Sequence, residues 1–123
     1  MALRLTFTAA LAALSCPTLA VAQPPADFGV CAACHATAPG KTSFGPNLRG
    51  VVGRKAASLP GYAYSAALKK SGISWNAKTL DTWLTNPQAM VKGTKMPFAG
   101  FSDPAKRKRV IDYLATLKST RPR

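Results

Sequence analysis

The stretch CAACH, residues 31–35, decides the fold of this chain. It contains two of the three cysteines in the 123-residue sequence and the only histidine. If this segment is helical, Cys31 and Cys34 lie on the same face, because residues three apart are neighbours on a helix surface. His35 then follows directly behind the second thiol. Three soft or nitrogen donors within five residues indicate one shared chemical task.

The spacing C-x-x-C-H is the signature for covalent attachment of a c-type haem. The two thiols can form thioethers with the haem vinyl groups, and a neutral imidazole from His35 can bind the iron. A structural zinc site needs four ligands, and a disulfide-exchange site needs a βαβ setting that the sequence lacks. A plain disulfide between Cys31 and Cys34 would leave His35 unexplained. The motif therefore predicts a single covalent haem c.

The sixth position of the iron must come from a methionine or a lysine, or stay open, because the chain has no second histidine. Met90 lies in NPQAMV, where ordinary apolar packing explains it. Met96 lies in KGTKMPF, between Gly93 and Pro97, where the backbone is restrained and non-helical. Methionine is commonly core filler, but together with CAACH we predict Met96 as the ligand. His/Met ligation closes both faces of the iron and raises its potential, which favours one-electron transfer over enzymatic activity.

The first 22 residues resemble a secretory signal. Arg4 precedes an apolar run over residues 5–14, and Ala20-Val21-Ala22 forms an A-x-A cleavage site. The run is too short to span a bilayer with margin. We expect cleavage after Ala22, a mature domain over 23–123, and a periplasmic location without stable membrane insertion. A buried or anchoring helix, or a lipidated Cys16, are the alternatives.

The formal net charge is +13, glutamate is absent, and the four acids are all aspartates. Such a charge implies an anionic partner: an acidic protein patch, a membrane surface or nucleic acid. A secreted chain without a nucleic-acid motif does not fit nucleic acid. The basic run KRKR, residues 106–109, is interpreted either as a binding patch or as a solvated face, and Arg49 as a solvated surface charge.

The hydrophobic pattern predicts one all-α domain. Pro24 and Pro25 begin a short helix that runs into CAACH, and residues 36–64 form a long loop. Three helices then follow, with Ser65, Asn76 and Asp103 as their predicted N-caps. Pro87 ends the second of these, 88–101 is loop, and the last helix carries an apolar stripe: Val110, Ile111, Leu114 and Leu117.

From CAACH to the last helix the chain resembles the class I cytochromes c, of the mitochondrial-like bacterial cytochrome c2 type. The segments that carry the resemblance stand in the family's order and spacing: GPNLRGVVGRK (45–55), PGYAYS (60–65), GISW (72–75), TWLTNP (82–87) and KGTKMPFAGF (92–101). The resemblance implies a fold of helices and ordered loops wrapped around one covalent haem.

The resemblance also implies roles for particular residues. The carbonyl of Pro46 would accept the N–H of His35, which fixes the orientation of the ring. Arg54, Tyr64 and Trp75 match residues that hydrogen-bond or neutralise a buried haem propionate. Aromatic core packing is the alternative for Tyr64 and Trp75, and a solvated charge for Arg54.

Two positions depart from the family's pattern. Trp83 stands where many members have a tyrosine that hydrogen-bonds the ligand methionine, although it is still assigned to the haem site, as is Thr94. Phe28 lies three residues before Cys31 rather than the commoner four. We therefore expect incomplete packing of the first helix against the last, through Phe28 and Tyr113.

The family resemblance also implies a function for some of the basic residues. Lys41, Lys92 and Lys95 match lysines that surround the exposed haem edge and dock on acidic patches of redox partners, such as membrane oxidase or reductase complexes. The predicted function is a soluble, monomeric electron carrier. An enzyme or gas sensor with an open haem, and a haem subunit of a larger complex, are the alternatives.

Overall fold

The computed structural model describes residues 22–119, and it is all-α in this range. The predicted signal over residues 1–22 lies outside the described residues except for Ala22, as does the end of the C-terminal tail. Within the described range, a short 3-10 helix precedes five α-helices: Ala26–Phe28 (3-10), then α1 Gly29–Ala32, α2 Ala66–Lys70, α3 Ala77–Thr85, α4 Pro87–Met90 and α5 Pro104–Thr116. No helix in this part of the chain is long and apolar enough to cross a membrane.

Three helices, α2, α3 and α5, begin at the N-cap residues that the sequence predicted. The Ser65 hydroxyl accepts the N–H of Leu68 ahead of α2, and the Asp103 carboxylate accepts the N–H of Ala105 at 2.8 Å ahead of α5. Asn76 forms a reciprocal capping box with Thr79 at the start of α3. The predicted caps are confirmed, since each satisfies a backbone donor that a helix start leaves free.

The segment after α3 differs from the predicted loop. Pro87 does not simply end α3, because it occupies the first turn of a further short helix, α4. Asn86 lies between the two, ending α3 and accepting the N–H of Ala89 with its side chain at 3.1 Å. Proline is well placed there, since a first-turn residue needs no N–H partner.

The core is formed mainly by α3 and α5. The predicted apolar stripe of α5 is buried, and Tyr113 joins it on the inward face. Phe28 is only 3 % exposed and packs edge-on against Tyr113, with ring centroids 4.8 Å apart. Arg109 also donates to Asp27 at 2.7 Å across the same contact. The expectation of incomplete packing here was therefore wrong.

The long loop between α1 and α2 is tied to the rest of the chain by backbone hydrogen bonds. Lys55 and Ser74 form an isolated antiparallel bridge, Gly53 N–H donates to Trp75 O, and Trp75 N–H donates to Arg54 O. The loop therefore lies across the segment before α3 and forms part of the wall around the molecule's interior.

Candidate functional site

A cavity of about 410 Å³ opens between the helices and the long loop. Its volume is typical of ligand and cofactor pockets. The wall is mostly apolar, from Phe28 of the 3-10 helix, Leu80 and Leu84 of α3, and Val110 and Leu114 of α5. A domain of this size buries a modest share of its surface, so a large apolar group in this cavity would stabilise it strongly.

Both cysteines of CAACH line this cavity as free thiols. Cys31 lies within α1, while Cys34 lies just past its end, where its N–H donates to Cys31 O at 3.1 Å. Burial raises the pKa of the Cys31 thiol to about 11. The two sulfurs are thus presented on one side of the cavity by a single turn of chain.

His35 lines the cavity beside the cysteines. Its Nδ1 lies 2.8 Å from the carbonyl oxygen of Pro46, which can only accept, so Nδ1 carries the proton. Burial lowers the pKa of the imidazole, and the hydrogen bond to Pro46 opposes this. The ring is therefore neutral, with the lone pair of Nε2 available to a metal.

Gly45 allows this close approach of the loop to His35. A Cβ at residue 45 would lie 2.5 Å from Cε1 of the imidazole and 2.6 Å from Nδ1. The Gly45 N–H donates to Cys34 O at 2.7 Å. Only glycine lets the backbone lie flat against the ring while Pro46 reaches Nδ1.

The structure distinguishes the two methionines that could bind the iron, because only one of them lies at the cavity. Met96 lines the main cavity and also a smaller one of about 140 Å³ that shares Cys31, Cys34 and His35 with it. Met90 lines neither of the two cavities and packs against the core cluster instead. Of the two methionines in residues 22–119, only Met96 shares a cavity with His35.

The loop that carries Met96 is braced by a residue that the sequence did not single out. The Gln88 side-chain amide donates to Thr94 O at 2.8 Å, and its carbonyl accepts the N–H of Gly93 at 3.3 Å. Thr94 is itself buried and lines the cavity. Gln88 lies in α4, whose existence the sequence did not predict, so its reach to this loop had no sequence signal.

Aromatic side chains form another part of the wall. Trp75 and Trp83 pack edge-on with centroids 5.2 Å apart, and Tyr62 and Tyr64 do so at 4.7 Å. All four line the cavity. Burial raises the pKa of Tyr64, and nearby Arg54 partly opposes this. These residues bring indole and phenol groups to an otherwise apolar wall.

The two arginines of the loop are both engaged, contrary to the expectation for Arg49. Arg54 lines the cavity and donates to the carbonyls of Asn47 and Arg49 at 3.0 and 3.3 Å. Arg49 was expected to be solvated, but it donates to Thr37 O at 2.8 Å and to Lys118 O at 3.2 Å. The interpretation of Arg49 as a solvated surface charge was wrong, because its own loop and the segment after α5 supply carbonyl acceptors for it.

The donor set fits a haem. Two thiols, a neutral imidazole and a thioether share one mostly apolar cavity, and the described residues contain no cluster of three or more His, Cys, Asp or Glu side chains that would bind a metal ion directly. Iron held in a porphyrin needs only axial ligands from the protein. Arg54, Tyr64 and Trp75 add polar groups at the same cavity.

Comparison with known proteins agrees with this geometry. The family model for cytochrome c matches residues 26–118. The chain is 45% identical to cytochrome c2 iso-2 of Magnetospirillum molischianum over 97 residues, covering 79% of this chain and all of that one. It is 49% identical to cytochrome c2 of Rhodomicrobium vannielii over 90 residues, 72% of each chain. The solved structure of cytochrome cH from Methylobacterium extorquens matches with a TM-score of 0.69 and 49% identity, covering 73% of this chain and 91% of that one.

The chain belongs to the cytochrome c family, and it has the class I fold of that family. Family members are electron carriers that bind a covalent c-type haem through a cysteine pair, and Cys31 and Cys34 are that pair here. The haem predicted from CAACH is thereby confirmed.

Proposed function

We propose that the protein is a soluble periplasmic carrier of single electrons, with His35 and Met96 as the axial ligands of its haem. The observation that carries this proposal is the placement of both residues on the cavity that also holds Cys31 and Cys34. The bound haem supplies reversible one-electron oxidation and reduction of its iron. Two protein ligands leave no position for a substrate, so the site supports transfer rather than catalysis.

The surrounding residues hold this ligand pair in place. Pro46 fixes the His35 ring through Nδ1, and Gln88 braces the loop that presents Met96. A metal centre whose ligands are already oriented changes oxidation state with little rearrangement. The helices and the long loop would wrap the haem so that its faces are covered.

The polar groups of the cavity wall are proposed to serve the haem periphery. Arg54, Tyr64 and Trp75 would hold a propionate, since an arginine and two hydrogen-bond donors compensate a buried carboxylate. Thr94 and Trp83 would lie on the Met96 side of the haem. Trp83 can donate a hydrogen bond but cannot accept one, which distinguishes it from the tyrosine expected at this position.

The charge distribution supports an acidic protein partner. All four aspartates interact with α5: Asp103 caps it, Asp112 pairs with Lys108 within it, and the other two pair with Arg107 and Arg109. None of the four aspartates, all within residues 22–119, lines the cavity, whereas Lys55 and Lys95 do. The region around the haem opening is thus positive, and electrostatic attraction would speed encounters with acidic docking patches on membrane oxidases or reductases.

The periplasmic location rests on the sequence of the first 22 residues, which we propose to be a secretory signal cleaved after Ala22. The domain would then comprise residues 23–123 and act as a monomer. Peptide sequencing of the N-terminus of the protein purified from the periplasmic fraction tests this assignment, and a retained Met1 would contradict it.

Turnover with membranes of the source organism tests the carrier function. A redox titration should follow a one-electron Nernst curve of about 59 mV per tenfold ratio, and oxidation of the reduced protein by the membranes should slow as salt rises. A rate independent of salt would remove the electrostatic docking. A protein that membranes neither oxidise nor reduce is not their electron carrier.

A further inference from the structure

Phe44 is 88 % exposed, whereas every other aromatic side chain among residues 22–119 is buried or half-buried. An exposed apolar side chain is not unusual by itself. The position of Phe44 is unusual, because it lines the same cavity as Cys34 and His35. Val30 is the second large apolar side chain with high exposure, at 52 %, and it lines the smaller cavity with those residues. Phe44 and Val30 therefore both lie at openings of the haem site.

The backbone that presents Phe44 is fixed on both sides. The Tyr62 hydroxyl donates to Phe44 O at 3.1 Å, and the next residue, Gly45, donates its N–H to Cys34 O. The Asn47 side-chain amide donates to two carbonyls of the loop before Phe44, at 2.8 Å each. A loop whose backbone is held in place before binding costs less entropy to order in a complex.

The charged side chains that share the loop or the cavity with Phe44 are all basic. Lys41 precedes it by three residues and is exposed, and Lys55 and Lys95 line the same cavity as Phe44. The four aspartates interact with α5 instead. A second copy of this strongly basic chain would be repelled, whereas a carboxylate-rich surface would be attracted.

We propose that Phe44 is the apolar anchor of a docking surface, made of Val30, Phe44, Lys41, Lys55 and Lys95, for an acidic redox protein. The partner would present an apolar pocket for the phenyl ring, surrounded by carboxylates for the lysines. Buried aromatic anchors carry a large share of binding energy at interfaces, while charges at the rim set the rate of encounter. This inference rests on the proposed carrier function and adds the chemistry of its partner.

Steady-state oxidation of the reduced holo-protein by membranes of the source organism tests the anchor. Phe44→Ala should raise KM by about tenfold or more, with kcat and the salt dependence of kcat/KM unchanged. Lys41→Gln should weaken the salt dependence. Lys106→Gln makes the same change of charge at an exposed position on α5 and should alter neither quantity. Phe44→Tyr, which keeps the ring, should retain most of the affinity.

Each other outcome overturns the inference and identifies what replaces it. If Phe44→Ala has the KM of the unaltered protein, Phe44 is not an anchor, although the carrier function stands. If the unaltered protein sediments as a dimer and Phe44→Ala abolishes that dimer, the docking surface binds a second copy of the chain. If Phe44→Ala abolishes binding to phosphatidylglycerol vesicles without changing turnover, the docking surface binds a lipid surface. If the unaltered protein is not turned over at all, the proposed function fails and the docking surface fails with it.

Discussion

At the scale of single residues, the placement of His35 depends on the lack of a side chain at Gly45. Gly45 lies so close to the imidazole that a methyl group there would meet two ring atoms. Pro46 then reaches Nδ1 at hydrogen-bonding distance. The loop and the histidine ring therefore fix one another, and the orientation of the proposed iron ligand follows from their contact.

Gly45→Ala should destabilise the holo-protein by about 1–3 kcal/mol, because the added methyl group must push the ring or the loop aside. Gly29→Ala is the matched control, since a Cβ at that helical position meets nothing within 4 Å, and alanine there should be neutral or stabilising by up to about 1 kcal/mol. Guanidinium unfolding of the two variants measures the difference. Equal midpoints for both would show that the His35 contact imposes no constraint.

The residues that the sequence identified best are those whose chemistry is local. Cys31, Cys34 and His35 fall within five positions, so their spacing alone carried the haem prediction. Phe44 and Gln88 had no such signal. The position of Phe44 at the cavity and the reach of Gln88 to the Met96 loop depend on how distant segments pack, which a single sequence does not display.

At the scale of elements, the basic run at the start of α5 is largely structural. Arg107 donates to Asp81 of α3 at 2.7 Å and to the carbonyls of Phe101 and Ser102, and Arg109 donates to Asp27. Lys108 pairs with Asp112 along α5 itself. Two of the four cations in this run, Arg107 and Arg109, therefore hold the last helix to its surroundings, and Lys108 pairs within the helix.

Arg107→Gln should lower the free energy of unfolding by about 1–3 kcal/mol, since the side chain is only 11 % exposed and its loss leaves several acceptors unpaired. Lys108→Gln should cost no more than about 0.5 kcal/mol, because both members of that pair are well exposed. A double-mutant cycle with Asp81→Asn measures the Arg107 coupling. A coupling near zero would mean that the α3–α5 ion pair contributes nothing.

The Asp27–Arg109 pair should add a pH dependence in acid. The hydrogen bond from Arg109 holds the pKa of Asp27 below its ordinary value of 3.8. Because the pKa is lowered in the folded state, the stabilisation is complete above 3.8 and is lost as pH falls through the folded pKa.

The unfolding midpoints of the unaltered protein and of Asp27→Asn should differ by a constant amount above about pH 5 and converge below pH 3.8. Arg109→Gln should give the same profile, since it removes the other half of the interaction. A difference that stays constant into strong acid would show that the carboxylate is not stabilised by this contact.

The elements themselves were largely predictable. Ser65, Asn76 and Asp103 begin helices because their side chains satisfy nearby backbone donors, which is a local effect. The contact of Phe28 with Tyr113 was predicted, but its completeness was misjudged, because the closeness of two segments from opposite ends of the domain depends on packing that a single sequence does not display. Arg49 was misjudged for the same reason, as one of its partners, Lys118, lies 69 positions away.

At the scale of the whole molecule, all four aspartates interact with α5, whereas Lys55 and Lys95 line the cavity. This separation of charge gives the molecule a positive side at the haem opening and a largely neutralised side at α5. An asymmetric charge distribution orients a molecule in the electric field of its partner as well as attracting it. The protein should therefore approach an acidic partner with the cavity side first. The apolar Phe44 at the same opening would then provide contact once the surfaces meet.

The central claim is that His35 and Met96 close the haem iron on both sides. The ferric absorption spectrum of the haem-loaded protein tests it, through the weak charge-transfer band from methionine sulfur to iron. The unaltered protein and Met90→Ala should both show the band, and Met96→Ala should lose it while its haem stays covalently attached. A high-spin spectrum without the band in the unaltered protein, or a band that survives Met96→Ala, would contradict the account.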